Sequence, residues 1–297
     1  RYLDQLDEAD ASAPSKDQRP IKDKIAALTE EMDRLKKLEV RMLEAPDEQI
    51  SLTDPDARSM KSRGAGIVGY NVQAAVDVET HLIVAHEVTN VGIDRRQLGP
   101  MATKAQEILA SDNPIAVIAD QGYYRGEELL TCEEAGITAY VAKADTSGKR
   151  DKGEFTRRQF RYLPDDDEYE CPAGERAIYR FTRTEAGKQI RRYWSSACSS
   201  CSIKSKCTPG DYRRISRWEH EDVVERAESR LKNYPEAMRV RRATVEHPFG
   251  TLKQWMGSGF LTKQKHNVST EMSLHVLAYN MKRVINLVGA RTILEAI

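Results

Sequence analysis

Apolar residues that recur every three or four positions mark the first structured segment of the chain. Over residues 20–45 this spacing predicts one amphipathic helix, which begins near Pro20 and ends before Pro46. The recurring apolar positions are Ile25, Leu28, Met32 and Leu35. Such a stripe could seed a short coiled coil, but we expect it to pack on its own domain.

A change from helical to alternating spacing follows. Apolar residues at alternate positions on both sides of Glu79 and Thr80 predict a β-hairpin over residues 67–89. The alternating positions of its first strand are Tyr70, Val72, Ala74 and Val76. A helix is then expected from Asp94 to about residue 110.

A strand–helix–strand unit is predicted next. The unbroken apolar run 115–119 is typical of a buried strand, and a helix (127–135) and a second strand (137–142) follow it. Residues 143–215 differ, because Gly, Pro, Asp and four cysteines interrupt short aromatic-bearing strands there. We interpret this segment as an insertion subdomain.

Helical spacing returns after residue 215. Ser216 is expected to cap the first helix, and Pro235 to open the second. The last helix, at about 270–288, is predicted to bury one stripe, made of Leu274, Leu277, Met281, Val284, Ile285 and Val288. The chain therefore divides into a linker and helix (1–52), the first part of an α/β domain (53–142), a cysteine-rich insertion (143–215) and a helical part that completes the domain (216–297).

Composition places the chain among soluble globular proteins. Its 297 residues are 40% hydrophobic and 31% charged, with no apolar run long enough to span a membrane and no signal peptide. We therefore expect a cytoplasmic protein without a membrane partner. The net charge is zero, but residues 1–150 hold 19 basic and 27 acidic residues, whereas residues 151–297 hold 27 and 19. The basic half suits a polyanion such as DNA, although a merely dipolar surface explains it equally well.

Asp120 is the first candidate for chemistry. It follows the apolar run 115–119, and the carboxyl ends of strands in α/β sheets are where ligands gather. A carboxylate there could hold a divalent cation. The simpler interpretation is an Asp that caps the turn Gln121–Gly122, and it is favoured on this residue alone.

The second candidate is a charged helix face. Arg242, Glu246 and Lys253 are spaced by four and seven residues, which places them on one side of a helix. A carboxylate between two cations suits a metal with a phosphate beside it, but a surface ion-pair ladder is a common alternative. Pro248 is expected to kink this helix or to start a fresh one.

The cysteines form the third candidate. Cys198 and Cys201 make a Cys-x2-Cys motif, Cys207 follows, and Cys171 precedes them. This spacing predicts a structural Zn²⁺ site of four thiolates in place of a core, with free thiols as the alternative. Cys132 is expected in the core.

Three further residues are weaker candidates. His247 adjoins Glu246 and could assist a metal or phosphate, but it is as easily structural. Trp218 lies in a basic stretch and could stack a nucleobase, although such a residue more often anchors an element to the core. His275 is expected to be a core histidine.

Three motifs together resemble the DDE transposases of bacterial insertion sequences, which are mobile elements. They are residues 69–77 (GYNVQAAVD), 119–124 (ADQGYY) and 246–253 (EHPFGTLK). The resemblance runs from about Thr53 to about Gly289. It implies an α/β fold with an RNase H-like mixed sheet flanked by helices, a small cysteine-rich insertion subdomain and a helical C-terminal part.

The resemblance also implies the chemistry. Asp120 and Glu246 correspond to the second and third acids, which hold Mg²⁺ (or Mn²⁺), and Arg242 and Lys253 would bind DNA phosphates. Arg239 stands where the family has a tyrosine, so no tyrosine role is implied. The expected function is metal-dependent DNA strand cleavage and transfer in DNA transposition, a DNA recombination reaction, by a DNA-bound homo-oligomer. The alternative is a non-catalytic DNA-binding or zinc-dependent interaction protein derived from a transposase.

The first acid of the family is the one departure. We find no strand with a suitable Asp ahead of the hairpin, because Asp54 and Asp56 lie in a predicted loop and Asp77 ends the hairpin strand. The chain also does not begin with Met. We therefore expect an N-terminally truncated chain, which would be poorly soluble and would not transpose DNA by itself.

Overall fold

The fold is described from a computed structural model, which covers residues 21–45, 47–62, 65–110, 113–143, 154–257 and 259–296. The chain divides into two compact units, Arg1–Tyr70 and Asn71–Ile297. The helices are α1 (Ile21–Glu44), α2 (Leu98–Leu109), α3 (Gly126–Glu134), α4 (Glu221–Asn233), α5 (Ala237–Met256), α6 (Lys265–Val288) and α7 (Ala290–Ala296). The strands are β1 (Arg58–Ser62), β2 (Ala65–Gly69), β3 (Asn71–Val76), β4 (Ile83–Thr89), β5 (Ala116–Ala119), β6 (Thr138–Val141), β7 (Arg161–Leu163), β8 (Glu168–Glu170), β9 (Arg176–Glu185), β10 (Lys188–Trp194) and β11 (Ile215–Trp218).

The first unit contains the predicted amphipathic helix, but its apolar stripe is not buried. Residues Ile25, Leu28, Met32 and Leu35 of α1 are all more than half exposed. The expectation that the stripe packs on its own domain is therefore wrong. The unit also contains a β1–β2 hairpin that the sequence analysis missed.

The second unit begins with the predicted hairpin. Strands β3 and β4 pair antiparallel, from Asn71 opposite Thr89 to Val76 opposite Ile83. The side chain that β3 buries is Gln73, which is 1% exposed, and not an apolar one. Helix α2 begins at Leu98, four residues later than expected, because residues 94–97 form a turn closed by the bond from Gln97 N to Asp94 O.

The strand–helix–strand unit is confirmed. Strands β5 and β6 pair in parallel, with α3 between them in the chain. Gly136, with φ of +70°, ends the helical segment in the left-handed conformation that glycine adopts without strain. Cys132 is 1% exposed and lies in the core, as expected. Strand β5 is less buried than expected, since only Ala119 of its residues is buried.

The predicted single mixed sheet is not found among the described residues. The β3–β4 and β5–β6 pairs are separate two-stranded sheets. A cavity of about 210 Å³ lies between them, lined by β3 and β5 and by side chains of α2 and α5. Each pair forms within a short stretch of chain, whereas joining β3 to β5 would need contact across this space. The structure thus shows a mixed α/β arrangement in which these two strand pairs are separate.

Residues 161–218 form a five-stranded antiparallel sheet in the order β11-β10-β9-β8-β7. One face has its own aromatic core, made of Phe160, Tyr169, Ala177, Tyr193 and Ile215. Arg217 is buried and forms an ion pair with Glu225, so β11 is fastened to α4.

Several expectations about the last part of the chain are corrected. Ser216 lies within β11 and caps no helix, and α4 begins at Glu221. Helix α5 runs through Pro248 without a fresh start, and the proline ring is fully buried. Helix α6 buries the side opposite to the predicted stripe, with Val268, Met272, Val276 and Tyr279 inward. The predicted residues Leu274, Leu277, Met281, Ile285 and Val288 are exposed.

A search of the described helices for membrane-crossing segments found none with the required combination of length and apolar character.

Candidate active site

Asp120 lies directly after β5 and begins the short 3-10 turn Gln121–Tyr123. Its Oδ1 accepts a hydrogen bond of 2.8 Å from the backbone N–H of Gly122. Its Oδ2 accepts a bond of 2.8 Å from Arg241 on α5. Asp120 therefore does cap its turn, and the same carboxylate also forms an ion pair with a helix from a distant part of the chain.

Gly122 makes this close arrangement feasible. A Cβ atom at this position would lie 2.9 Å from Asp120 Oδ1 and 3.6 Å from Asp94 Oδ2. The first distance is shorter than real Cβ contacts, so a side chain at this position would displace the Asp120 carboxylate from the backbone N–H. One carboxylate oxygen of Asp94 and one of Asp120 thus both lie within 4 Å of this position.

Asp94 is a component of the site that the sequence analysis did not identify. Its Oδ1 accepts hydrogen bonds from Asn71 Nδ2 (2.8 Å) and Gln73 Nε2 (2.7 Å). Asn71 and Gln73 are polar residues two positions apart, so they project from the same face of β3. This pair of polar residues in an otherwise apolar strand was the signal that could have indicated a polar partner.

Tyr123 connects the β3 side of the site to the Asp120 turn. Its hydroxyl donates to Gln73 Oε1. Burial raises the pKa of Tyr123 well above its usual value, and the charges of Asp94 and Asp120 add to the rise. The phenol therefore stays protonated at neutral pH and acts as a hydrogen-bond donor.

Arg242, Glu246 and Lys253 lie on α5, and their side chains are exposed. Because each helical residue turns by about 100°, Glu246 leaves α5 about 140° away from Arg241, the residue that contacts Asp120. The helix thus presents Arg241 to Asp120 and the three predicted residues on another side. The assignment of Asp120 and Glu246 as a metal-binding pair, with Arg242 and Lys253 as DNA ligands, stays a prediction.

His247 and Trp218 have structural contacts. His247 Nδ1 lies 2.9 Å from the Tyr279 hydroxyl, which donates to the carbonyl of His81. This joins α5 and α6 to the β3–β4 turn. Trp218 is 7% exposed and lies in the same core as Ala119 and Leu129, so its possible stacking on a nucleobase is excluded and its anchoring role is confirmed. His275 lies beside Glu271 and Phe260.

The side chains that could hold a metal ion are the carboxylates near Asp120 and the four cysteines of the insertion. Within the described ranges, no three His, Cys, Asp or Glu side chains are arranged to hold a metal ion. Mg²⁺ is commonly bound by one or two carboxylates together with substrate phosphates, so the oxygen donors of Asp120 fit such an ion in kind.

The four predicted zinc ligands face one cavity. It is lined by the side chains of Cys171, Cys198, Cys201 and Cys207. Burial raises the pKa of the Cys207 thiol, and the neighbouring cysteines raise it further. The sulfur donors match Zn²⁺ in kind, but they are not drawn together into a ligand set, so the predicted convergence on zinc is not found.

Comparisons with known proteins identify the family. A search of curated proteins and a search of solved structures returned no significant match. A family model described as the transposase DDE domain matches residues 40–281, which include Asp94, Asp120 and Glu246. Because this match covers most of the chain, the protein belongs to the transposase DDE domain family.

Proposed function

We propose that this protein catalyses metal-dependent cleavage and transfer of DNA strands during DNA transposition. The observation that carries the proposal is the position of Asp120, at the carboxyl end of β5, within a chain that matches the DDE transposase family. Carboxylates in that position are well placed to meet a ligand at the edge of the strands.

Each candidate residue has a distinct role in this proposal. Asp120 and Glu246 would hold Mg²⁺ or Mn²⁺. When bound, such ions lower the pKa of an attacking water and stabilise the leaving oxygen at a phosphodiester. Arg242 and Lys253 would bind phosphates of the DNA backbone and thereby fix its position.

Arg241 is the additional residue that the geometry brings to this reaction. Its guanidinium already contacts Asp120 Oδ2, and guanidinium groups bind phosphate oxygens in a planar, two-pronged manner. A phosphate that approaches Asp120 would therefore meet a cation at once. The Asp94–Gln73–Tyr123 contacts connect the same turn to β3.

A second candidate function, non-catalytic DNA binding, is favoured by a specific observation. Both oxygens of Asp120 are engaged, by Gly122 and by Arg241, and no three-carboxylate group is formed among the residues that the structure describes. A protein that only binds DNA would keep this ion pair permanently.

Nicking of supercoiled plasmid that carries the ends of a transposon separates the two functions. The full-length gene product is assayed in Mg²⁺, in Mn²⁺ and in a chelator, with DNA binding measured in parallel. The proposal predicts nicking in Mg²⁺ or Mn²⁺ only, and its loss in Glu246→Gln. The matched control is Glu236→Gln, an exposed glutamate near the start of α5. DNA binding without nicking under every condition would favour the second function.

We also propose that the four cysteines of the insertion bind one structural Zn²⁺. Their shared cavity supports this, because thiolates that line one cavity are candidates to bind a single ion, at sulfur–zinc distances of about 2.3 Å. Metal analysis of the reduced, folded chain should find zinc, and Cys198→Ser should lower the content. An absence of zinc in folded protein would contradict the proposal.

A further inference from the structure

The exposed end of the five-stranded sheet carries a compact group of aromatic and arginine side chains around Trp194. The rings of Phe181 and Tyr212 have their centroids 6.0 Å from that of Trp194, the first edge-on and the second stacked. The guanidinium groups of Arg180 and Arg214 lie 5.3 Å and 5.8 Å from the Trp194 ring. We call these five residues the Trp194 face.

A β-bulge places Arg180 in this group. In the β9–β10 pairing, Tyr193 is opposite Tyr179 and Arg192 is opposite Phe181, so Arg180 is the extra residue. Bulges re-aim a side chain relative to regular alternation. Arg180 thereby reaches the carbonyl of Trp194 and the hydroxyl of Ser196.

The Trp194 face is accessible to solvent, and its arginines form no ion pair with a described carboxylate. Phe181 is 45% and Tyr212 41% exposed. Within the described ranges, no carboxylate forms an ion pair with Arg180, Arg214 or the nearby Arg183. Large exposed rings are costly in water, and a soluble protein that keeps them together commonly uses them for binding.

The surrounding segment is strongly basic. Residues 176–217 contain 11 Lys and Arg but only two acidic residues. This imbalance within the chain's basic half complements a polyanion. The excess of basic residues also disfavours a protein partner that is apolar or has few acidic residues, because such a partner would leave the arginines without counter-charges.

The other end of β10 lies close to α3, the helix that follows the Asp120 turn. Ile190 lies four positions before Trp194 on β10, so both project from the same face of the strand. Ile190 is opposite the buried Trp218 in the pairing of β10 with β11. The Trp218 ring packs against Gly126, at the start of α3, six residues after Asp120. Lys188 also pairs with Glu127 of α3. The Trp194 face thus belongs to a sheet that contacts α3, the helix that follows the Asp120 turn.

We propose that the Trp194 face binds single-stranded DNA, with unpaired bases stacked on the exposed rings of Phe181 and Tyr212, which Trp194 supports, and with phosphates on Arg180 and Arg214. Exposed rings interleaved with arginines are the combination that single-strand binding requires, because every base offers a face for stacking. In a duplex those faces are already stacked on one another. This inference rests on the proposed function in one respect, because that function is the reason to take DNA as the polyanion that binds.

The test is binding of a short labelled oligonucleotide, as a single strand and as a duplex of the same sequence, without added divalent metal. The wild-type chain should prefer the single strand. Trp194→Ala should weaken single-strand binding about tenfold and change duplex binding far less. Trp194→Phe, which keeps a ring, should retain most of the affinity. Arg214→Ala should lower the salt dependence, by about 0.7 in the logarithmic slope.

The matched control is Trp255→Ala, which removes an exposed tryptophan from α5 and should leave the ratio of single-strand to duplex affinity unchanged. Phe181→Ala removes an exposed ring and tests the same face if Trp194→Ala does not fold. The inference is overturned if the wild type prefers duplex, or if Phe181→Ala and Arg214→Ala both bind the single strand like the wild type. Because no metal is added, an absence of cleavage activity would leave this result standing, and a failure here would leave the cleavage proposal untouched.

Discussion

The insertion sheet and the strands around Asp120 differ in how completely their backbones are paired. All five strands β7–β11 belong to one sheet, which has an aromatic core of its own. Around Asp120, the described residues form two separate strand pairs, β3–β4 and β5–β6, with a cavity of about 210 Å³ between them. The strands near the candidate catalytic carboxylate are therefore less extensively paired than the strands that carry the Trp194 face.

The largest effect should come from removing a central ring of the insertion core. Tyr193 is fully buried, packs on Tyr169 and donates to Asp167. Tyr193→Ala should lower the free energy of unfolding by about 3–5 kcal/mol, as other large-to-small aromatic substitutions do. Denaturant unfolding measures this.

Tyr212→Ala is the control for that substitution. Its ring is 41% exposed, and a change of about 0.5 kcal/mol or less is expected. Equal losses in the two variants would mean that the insertion sheet has no consolidated core of its own.

A pair of glycine substitutions tests the junction between the two regions. A Cβ at Gly126 would lie 2.9 Å from the buried Trp218 ring, so Gly126→Ala should cost about 1–3 kcal/mol of stability. Gly250, within α5, has no atom within 4 Å of its Cβ position. Gly250→Ala should therefore stabilise the protein by up to about 1 kcal/mol through helix propensity. Thermal unfolding of both variants measures whether each is more or less stable than the wild type. Stabilisation by Gly126→Ala would show that Gly126 and Trp218 are not closely packed.

The smallest effect concerns pH. Burial lowers the pKa of His247, and the neighbouring His81 and Arg283 lower it further. The unfolded chain then takes up a proton on His247 more readily than the folded chain does. This contribution to stability is complete above the unfolded pKa of about 6.5 and is lost as pH falls below it, by less than about 1 kcal/mol at this exposed position.

Replacing the titrating group checks this sign. In His247→Gln the unfolding free energy should fall less steeply between neutral and mildly acidic pH than in the wild type. An unchanged slope would show that His247 does not contribute, and a steeper one would reverse the assignment.

Local patterns in the sequence predicted elements well, but not how the elements assemble. The spacing in α1 and the β5–α3–β6 unit is a property of one short segment, so it could be interpreted without a partner. The buried face of α6 could not, because the helix is apolar on two sides and β4 selects the side with Val276 and Tyr279.

The candidate site shows the same limit. Asp120 could be predicted because it follows an apolar strand directly. Asp94 and Arg241 reach it from other elements, and Asp94 was interpreted only as a helix start. Gln73 was not expected inside, because its burial depends on the Asp94 and Tyr123 partners that the fold supplies.

The most direct test of the account is to measure DNA binding and DNA nicking side by side in the wild-type gene product and in its Asp120→Asn variant. The asparagine keeps the size of the side chain and its acceptor for Gly122 N–H, but it removes the charge. We predict that binding without metal stays at the wild-type level, while nicking in Mg²⁺ falls at least about 100-fold, since metal assistance contributes several kcal/mol. Nicking by Asp120→Asn at the wild-type rate would contradict the assignment of Asp120 as the metal-binding acid of the site.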